Sequence, residues 1–346
     1  MNNFVHKLFD NKLDIIGDIH GEYDALVSLI RVLGYDLYGN HPDNRKLIFV
    51  GDLVDRGPSS VKVVHLVKQL MDNGNAQCII GNHEMNIMMG LKREGNGWFF
   101  GSPHDDDKKA FNSEFATESD RTLFLEFFKS LPLVLESNKL RIVHACWDQE
   151  SIDTLKSNND TFKAAYKKYK KEIISYINKS GLNDLYNEEQ KKYGHLLKDE
   201  NIVPPYLPYT SQYDLLFQMN NPIRVIASGR EVLVTEPYYT GGKWRMIDRG
   251  KWWENYEDSI PVIIGHYWRN MNKTSSTFDN IHPLAWFGKN NNVFCIDYSV
   301  GRRYVDRMKN NSFSNKLTAL RFPENILIDE VGQTFNTIQK ELDYVL

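Results

Sequence analysis

The chain has 346 residues, with 42 Lys+Arg against 45 Asp+Glu, a formal net charge of −3, and 41% hydrophobic residues. That is the composition of a globular protein long enough to bury a core without staples, and it offers no global electrostatic case for binding nucleic acid. The three cysteines (Cys78, Cys146, Cys295) form neither a CxxC pair nor a disulfide framework, no run approaches ~18 uninterrupted apolar residues, and Met1 to Gly17 lacks the core of a signal peptide, so a cytoplasmic protein without a membrane span is expected.

The first half repeats one pattern. Leu13–Gly17 is an apolar run that leads into Asp18 and His20, and Tyr23–Leu33 follows with Leu26, Leu29, Ile30 and Leu33 at helical spacing. Lys46–Gly51 leads into Asp52 and Asp55, and a helix is expected over Ser59–Met71, with Pro58 at its start. Ala76–Gly81 leads into Asn82, His83 and Glu84. Strand, polar loop and helix, three times over, predict βαβ units on a mainly parallel buried sheet. Further apolar runs, Leu140–Val143, Pro261–Gly265 and Asn292–Ile296, end at His144, His266 and Asp297. In such sheets ligands bind beyond the carboxyl ends of the strands, where these polar groups fall. The expected fold is α/β, a layered β-sandwich core of two mixed sheets flanked by helices.

Two segments interrupt this pattern. Residues 92–130 are polar, with an acidic run at Asp105–Asp107 and a helical end at Arg121–Lys129. Residues 149–214 are rich in Lys, Asn and Tyr and read as largely helical, for example over Thr161–Ile177, whose KKYKK run suits a solvated face or a docking surface. Both are treated as insertions in one domain spanning residues 1–346, because the candidate ligands run from residue 18 to residue 266.

The polar clusters are a ligand set for hard or borderline divalent cations, which take carboxylate, imidazole and amide oxygen. Asp18 and His20 stand two residues apart, so in extended backbone both can face one ion. Asp18, His20 and Asp52 can hold one metal, and Asp52, Asn82, His144 and His266 the other. Two metals bridged by a carboxylate can clamp a phosphate and lower the pKa of a shared water. Singly, each motif is as well explained by a capped turn or a structural histidine; jointly, at successive strand ends, they point to a dimetal centre. His6, His41, His65, His104, His195 and His282 lie outside the motifs and are read as ordinary.

GDIHG (Gly17–Gly21), GDLVDRG (Gly51–Gly57) and GNHE (Gly81–Glu84) resemble the signature blocks of calcineurin-like metallophosphoesterases, and within them the phosphoprotein phosphatase branch. VHACWD (Val143–Asp148), GHYW (Gly265–Trp268), CIDYSVG (Cys295–Gly301) and LTALRFPE (Leu317–Glu324) resemble a bacterial-type subgroup. The resemblance implies the two ligand sets above, with Mn²⁺ the first choice of metal and Fe, Zn, Co or Mg as alternatives. It implies His83 as the general acid, Asp55 as its orienting partner, and Arg56 as a phosphate-binding fork. The implied reaction is direct attack by a dimetal-bound hydroxide on a phosphate monoester, with a phosphoprotein of the Ser/Thr type as first choice of substrate. The alternatives are hydrolysis of a symmetrical dinucleoside tetraphosphate, or a non-catalytic scaffold that binds a partner through the 149–214 segment. Because the acid and all six ligand positions are present, the scaffold ranks last.

Two features depart from the branch. Its last histidine is often followed by Thr, Ala or Gly, but here by Tyr267 and Trp268, which either shape the leaving-group pocket or pack internally; Tyr267 is taken as a substrate contact. A second phosphate-binding arginine lacks a clear motif: Arg245 is the first candidate, Arg249 and Arg230 its rivals. Asp297 is either a partner for a ligand histidine or a strand-end turn residue. No Cys-x5-Arg loop follows any cysteine, so a thiol nucleophile is not expected.

Overall fold

The computed structural model describes residues 3–103, 107–108, 111–274, 276–278 and 281–339; Met1, His104 and Asp105 lie outside the described residues. In chain order the strands are β1 (Val5–Lys7), β2 (Leu13–Ile16), β3 (Lys46–Phe49), β4 (Ala76–Cys78), β5 (Val134–Glu136), β6 (Arg141–Val143), β7 (Glu231–Thr240), β8 (Lys243–Arg249), β9 (Val262–Ile264), β10 (Val293–Cys295), β11 (Thr318–Phe322), β12 (Ile326–Asp329) and β13 (Thr334–Asn336). The helices are α1 (Tyr23–Val32), α2 (Ser60–Asp72), α3 (Asn82–Met88), α4 (Gly97–Phe100), α5 (Glu118–Ser130), α6 (Gln149–Lys156), α7 (Phe162–Lys179), α8 (Leu182–Tyr193), α9 (Pro208–Met219), α10 (Pro222–Ser228) and α11 (Arg303–Met308).

Each of the six apolar runs is a strand. They divide between two mixed sheets, ordered β1-β5-β6-β9-β10 and β13-β12-β11-β2-β3-β4. Strands β2, β3 and β4 run parallel, joined by α1 and α2 as the helical spacing requires. The third unit departs from the βαβ reading: after β4 and α3 the chain passes to β5 in the other sheet. Strands β6, β9 and β10 also run parallel to one another.

The runs are largely apolar because both faces of each sheet are covered. Alternate side chains serve different cores. Leu13, Ile15, Ile48, Val50, Ile142, Ile263, Phe294, Leu320 and Leu327 form one cluster shared by the two sheets, so it fills the space between them. Ile16, Leu47, Phe49, Val262 and Ile264 belong to a second cluster with Leu26, Leu29, Val63, Val64 and Val67 of α1 and α2. The result is helix, sheet, sheet, helix.

The segment that begins at residue 149 is helical, as expected, but its last helix does not stop at Asp214. Pro208 opens α9 at a position where its missing N–H costs nothing, and the helix continues to Met219. On α7, Tyr166, Tyr169, Ile173 and Ile177 are buried while Lys167, Lys168, Lys170 and Lys171 are exposed, so the KKYKK run is a solvated face. The antiparallel hairpin β7–β8 had no counterpart in the reading of the sequence, and it matters because it ends at Arg249.

A buried charge network ties the strands that carry the first ligands. Asp14 on β2 is fully buried and accepts hydrogen bonds from Arg45 Nε at 3.0 Å, Arg321 Nε at 2.9 Å and the Tyr35 hydroxyl at 2.8 Å. Arg321 stands opposite Asp14 in the β2–β11 register. Removing one partner of such a network leaves uncompensated buried charge. Asp14→Ala is expected to lower the unfolding free energy by about 3–5 kcal/mol, and Asp14→Asn by less, as read from the urea midpoint.

Candidate metal centre

All six expected ligand positions and His83 lie at the carboxyl ends of β2, β3, β4, β6 and β9, so both sheets contribute. The loops are stitched together by backbone bonds. Ile19 and His20 donate N–H to the Asp52 carbonyl at 3.0 and 2.9 Å, and Gly265 donates to that of His144 at 2.9 Å. His20, Asp52, Asp55, Arg56, His266 and Trp268 all have positive φ, between 32° and 75°. So many non-glycine residues in this costly region mark a site whose backbone is fixed by its surroundings.

Asp52 is the centre. Its Oδ2 lies 3.3 Å from His144 Nε2 and 3.8 Å from both His20 Nε2 and His83 Nε2. Donor atoms of His20, Asp52 and His83 lie within 4.8 Å of one another, as do those of Asp52, His144 and His266, so Asp52 is common to two groups able to hold a metal. Asp18 joins them by accepting the His266 N–H at 3.1 Å, and Asn82 Oδ1 sits 2.8 Å from His266 Nδ1 and 3.3 Å from His144 Nε2.

The donor set fits divalent cations on a specific ground. His20 Nδ1 lies 3.0 Å from the Val54 carbonyl, and His144 Nδ1 lies 2.7 Å from that of Val50. A carbonyl only accepts, so each Nδ1 carries the proton and each Nε2 turns its lone pair toward the centre, the arrangement of a metal-ligating imidazole. His144 Nε2 then confronts two acceptors, Asp52 Oδ2 and Asn82 Oδ1, and only a proton or a cation makes that favourable. Burial alone would push His144 down, yet the Asp52 and Asp18 carboxylates outweigh it and raise it to about 10. Burial, then the neighbouring Asp297 charge, hold Asp18 well above the carboxylate range. For His20, burial followed by the Arg56 charge, and for His266, burial followed by the Arg249 charge, favour the neutral imidazole.

His83 Nδ1 lies 2.6 Å from Asp55 Oδ2, and the other Asp55 oxygen accepts Trp98 Nε1–H at 2.7 Å. Arg56 Nη1 reaches His20 Nε2 at 2.9 Å, and its guanidinium stacks on Trp268 at 4.7 Å. The charge neighbours of Arg245 include Asp214, Glu231 and Lys243. Arg249 is the second-half arginine beside His266: its charge depresses that imidazole, and it stacks on the Tyr267 ring at 5.2 Å. Arg230 instead pairs with Asp148 at 2.7 Å. The reading of Tyr267 as a substrate contact is corrected: it is 1% exposed, packed against Trp253 and Phe278, so packing describes it. Asp297 accepts the N–H groups of Trp268 and Ser299 and shapes the turn, with no hydrogen bond to an imidazole among the described residues.

Three contributors carried no interpretable signal. Glu84 is fully buried beneath the cluster and accepts the N–H groups of Asp52, Leu53 and Gly81 at 2.8–3.0 Å; burial, then the Asp52 charge, raise it to about 7. Its place in GNHE was visible but its role was not. Trp98 lies 43 residues from Asp55 in sequence. Gly301 sits where any Cβ would overlap the His20 ring.

A family model described as calcineurin-like phosphoesterase matches residues 12–229, a span that holds Asp18, His20, Asp52, Asn82, His83 and His144. The chain is similar to an asymmetrical bis(5'-nucleosyl)-tetraphosphatase from Halalkalibacterium halodurans, 34% identical over 163 residues, which is 44% of this chain and 63% of that one. It is also similar to one from Bacillus subtilis, 32% identical over 137 residues, 38% of this chain and 56% of the relative. These matches therefore span less than two thirds of either relative. Among solved structures, a protein serine/threonine phosphatase from Saccharomyces cerevisiae aligns at 14% identity and a TM-score of 0.48, covering 98% of this chain and 85% of that one. A cold-active protein-tyrosine phosphatase from a psychrophilic Shewanella aligns at 16% identity and 0.45, covering 98% and 82%.

Because a methyl group at residue 301 must displace the imidazole or its own turn, Gly301→Ala is expected to cost about 1–3 kcal/mol of stability. The same substitution should shift the His20 ring resonances in a histidine-selective NMR spectrum.

Proposed function

The chain belongs to the calcineurin-like phosphoesterase family, and from that premise we propose that it hydrolyses phosphate esters or anhydrides by direct displacement at phosphorus, with two divalent cations at the centre. The observation that carries this reading is Asp52, common to both groups of potential ligands. Asp18, His20 and Asp52 would hold one cation, and Asp52, Asn82, His144 and His266 the other. Mn²⁺ is the first choice, since the mixed carboxylate, imidazole and amide set suits it as well as Fe, Zn, Co or Mg. Bound there, the cations polarise the phosphoryl group and lower the pKa of a water between them.

The remaining steps belong to the chain. His83 donates a proton from Nε2 to the leaving oxygen, while Asp55 fixes its Nδ1–H and the orientation of the ring. Trp98 locks the Asp55 carboxylate so that the pair keeps its aim. Arg56 and Arg249 grip the phosphate oxygens from opposite ligand histidines. Asp18, through the His266 N–H, holds the two halves of the ligand set in register.

For the substrate, the names of the curated relatives support a P–O–P bond in a dinucleoside polyphosphate. The aspartate–arginine–glycine and asparagine–histidine–glutamate blocks support a phosphomonoester, with a phosphoprotein as its form. No described helix is long and apolar enough to cross a membrane. Three free, buried thiols support a place in the reducing cytoplasm.

The test is a panel of dinucleoside polyphosphates, nucleotides and phosphopeptides with the Mn²⁺-loaded protein. Hydrolysis of at least one class is expected, lost with a chelator and restored by Mn²⁺; a protein that binds no divalent ion would sink the proposal and favour the scaffold. Asp52→Asn should abolish turnover. His83→Ala should lower kcat by about 10²–10⁴ on substrates with poor leaving groups. The loss should be smaller on p-nitrophenyl phosphate, whose leaving group needs little help from a proton.

A further inference from the structure

One cation beside the centre is unused by that mechanism. The turn after β10 crosses the cluster and touches it at three points. Asp297 accepts the Trp268 N–H at 3.0 Å, Gly301 lies against the His20 ring, and Arg302 stacks its guanidinium on Trp268 at 5.4 Å. The same indole carries Arg56 at 4.7 Å. Two arginines therefore share one half-buried tryptophan, which directly follows the segment bearing His266. Arg56 turns inward to His20, whereas Arg302 is exposed and has no carboxylate within ion-pair reach among the described residues.

This arrangement is unfavourable by itself. Two guanidinium groups on one ring repel each other, and the cations proposed above add to that positive field. Lying over the indole holds Arg302 at the centre's edge without occupying its N–H fork. A single phosphate bound at the centre beside Arg56 would leave this fork without a partner. A substrate with a second phosphoryl group next to the first fills it.

We infer that Arg302, aimed by Trp268, is a substrate-binding residue for the phosphoryl group adjacent to the one attacked, and so sets a preference for phosphoanhydride substrates over simple monoesters. This rests on the proposed phosphoesterase activity and deepens it. The adjacent group is held through its non-bridging oxygens, so Arg302 takes no part in bond making or breaking.

The experiment compares wild type, Arg302→Ala and Arg302→Lys, as full-length Mn²⁺-loaded proteins, on diadenosine tetraphosphate and p-nitrophenyl phosphate. The ratio of kcat/KM for the first over the second should fall by about tenfold or more in Arg302→Ala, mainly through KM, with Arg302→Lys intermediate because it keeps charge but not the fork. An equal loss on both substrates, or none on either, overturns the inference by leaving Arg302 a structural or idle role. Calorimetry supplies a readout independent of turnover: Arg302→Ala should weaken binding of methylenediphosphonate about tenfold more than binding of inorganic phosphate. Equal weakening overturns the inference even if no substrate is turned over. A wild type that hydrolyses neither substrate fails the underlying activity instead, while an active wild type with an unmoved ratio fails this inference alone.

Discussion

Everything at the centre depends on holding the Asp52 carboxylate among three imidazoles in a dry pocket. Burial opposes the charge of Asp52, and His144, His83 and His20 together reverse that opposition and hold it well below the usual carboxylate range. Such an anion is tolerable only when paired and hydrogen-bonded. Glu84 completes the arrangement from below. By accepting three backbone N–H groups it fixes the two loops that carry Asp52 and Asn82, and so sets the site before any cation enters. The cost is visible in the backbone, where the left-handed residues gather around this one carboxylate.

The two-sheet architecture follows from the same requirement. One parallel sheet edge offers a row of strand ends, but the six ligand positions must surround a point. Strands β2, β3 and β4 deliver Asp18, His20, Asp52 and Asn82 from one side, and β6 and β9 deliver His144 and His266 from the other. The apolar layer between the sheets keeps these two rows at a fixed separation. Asp14, with Arg45 and Arg321, clamps β2 to its neighbours from the end remote from the ligands.

The parts of the molecule legible in the sequence are those with a local physical signal. Doubly buried strands read as largely apolar runs, and each strand lies inside its run and stops one to three residues short of its end or at it; the helices α1 and α2 showed their periodicity. The convergence of Asp18, His20, Asp52, Asn82, His144 and His266 was legible because each follows such a run closely, which fixes its position relative to the sheet. What stayed hidden depends on long-range packing. The hairpin β7–β8 is a mixture of exposed and half-buried positions with no clean alternation, so nothing in Glu231–Arg249 marked it as strand. Without it, Arg245 and Arg249 could not be ranked, although they stand only four positions apart. Trp98 and Arg302 act through contacts with residues 43 and 34 positions away, distances over which a pattern carries no information.

The aromatic pair after the last histidine, odd from the sequence, has a common explanation in charge placement. Tyr267 and Trp268 are adjacent and point to different surroundings. Tyr267 is buried and supports Arg249 beside His266; Trp268 is half-buried and supports Arg56 and Arg302 beside His20. None of these three arginines forms an ion pair with a carboxylate among the described residues, in contrast to Arg45, Arg303 and Arg307, which do. An arginine held by a carboxylate has its fork already filled, whereas one held by a ring keeps its charge and its N–H groups available. Orienting cations through π faces thus raises a positive field around the Asp52 cluster without bringing further acids into it. Threonine or alanine after the histidine offers no ring, and these guanidinium groups would then be free to turn to carboxylates instead.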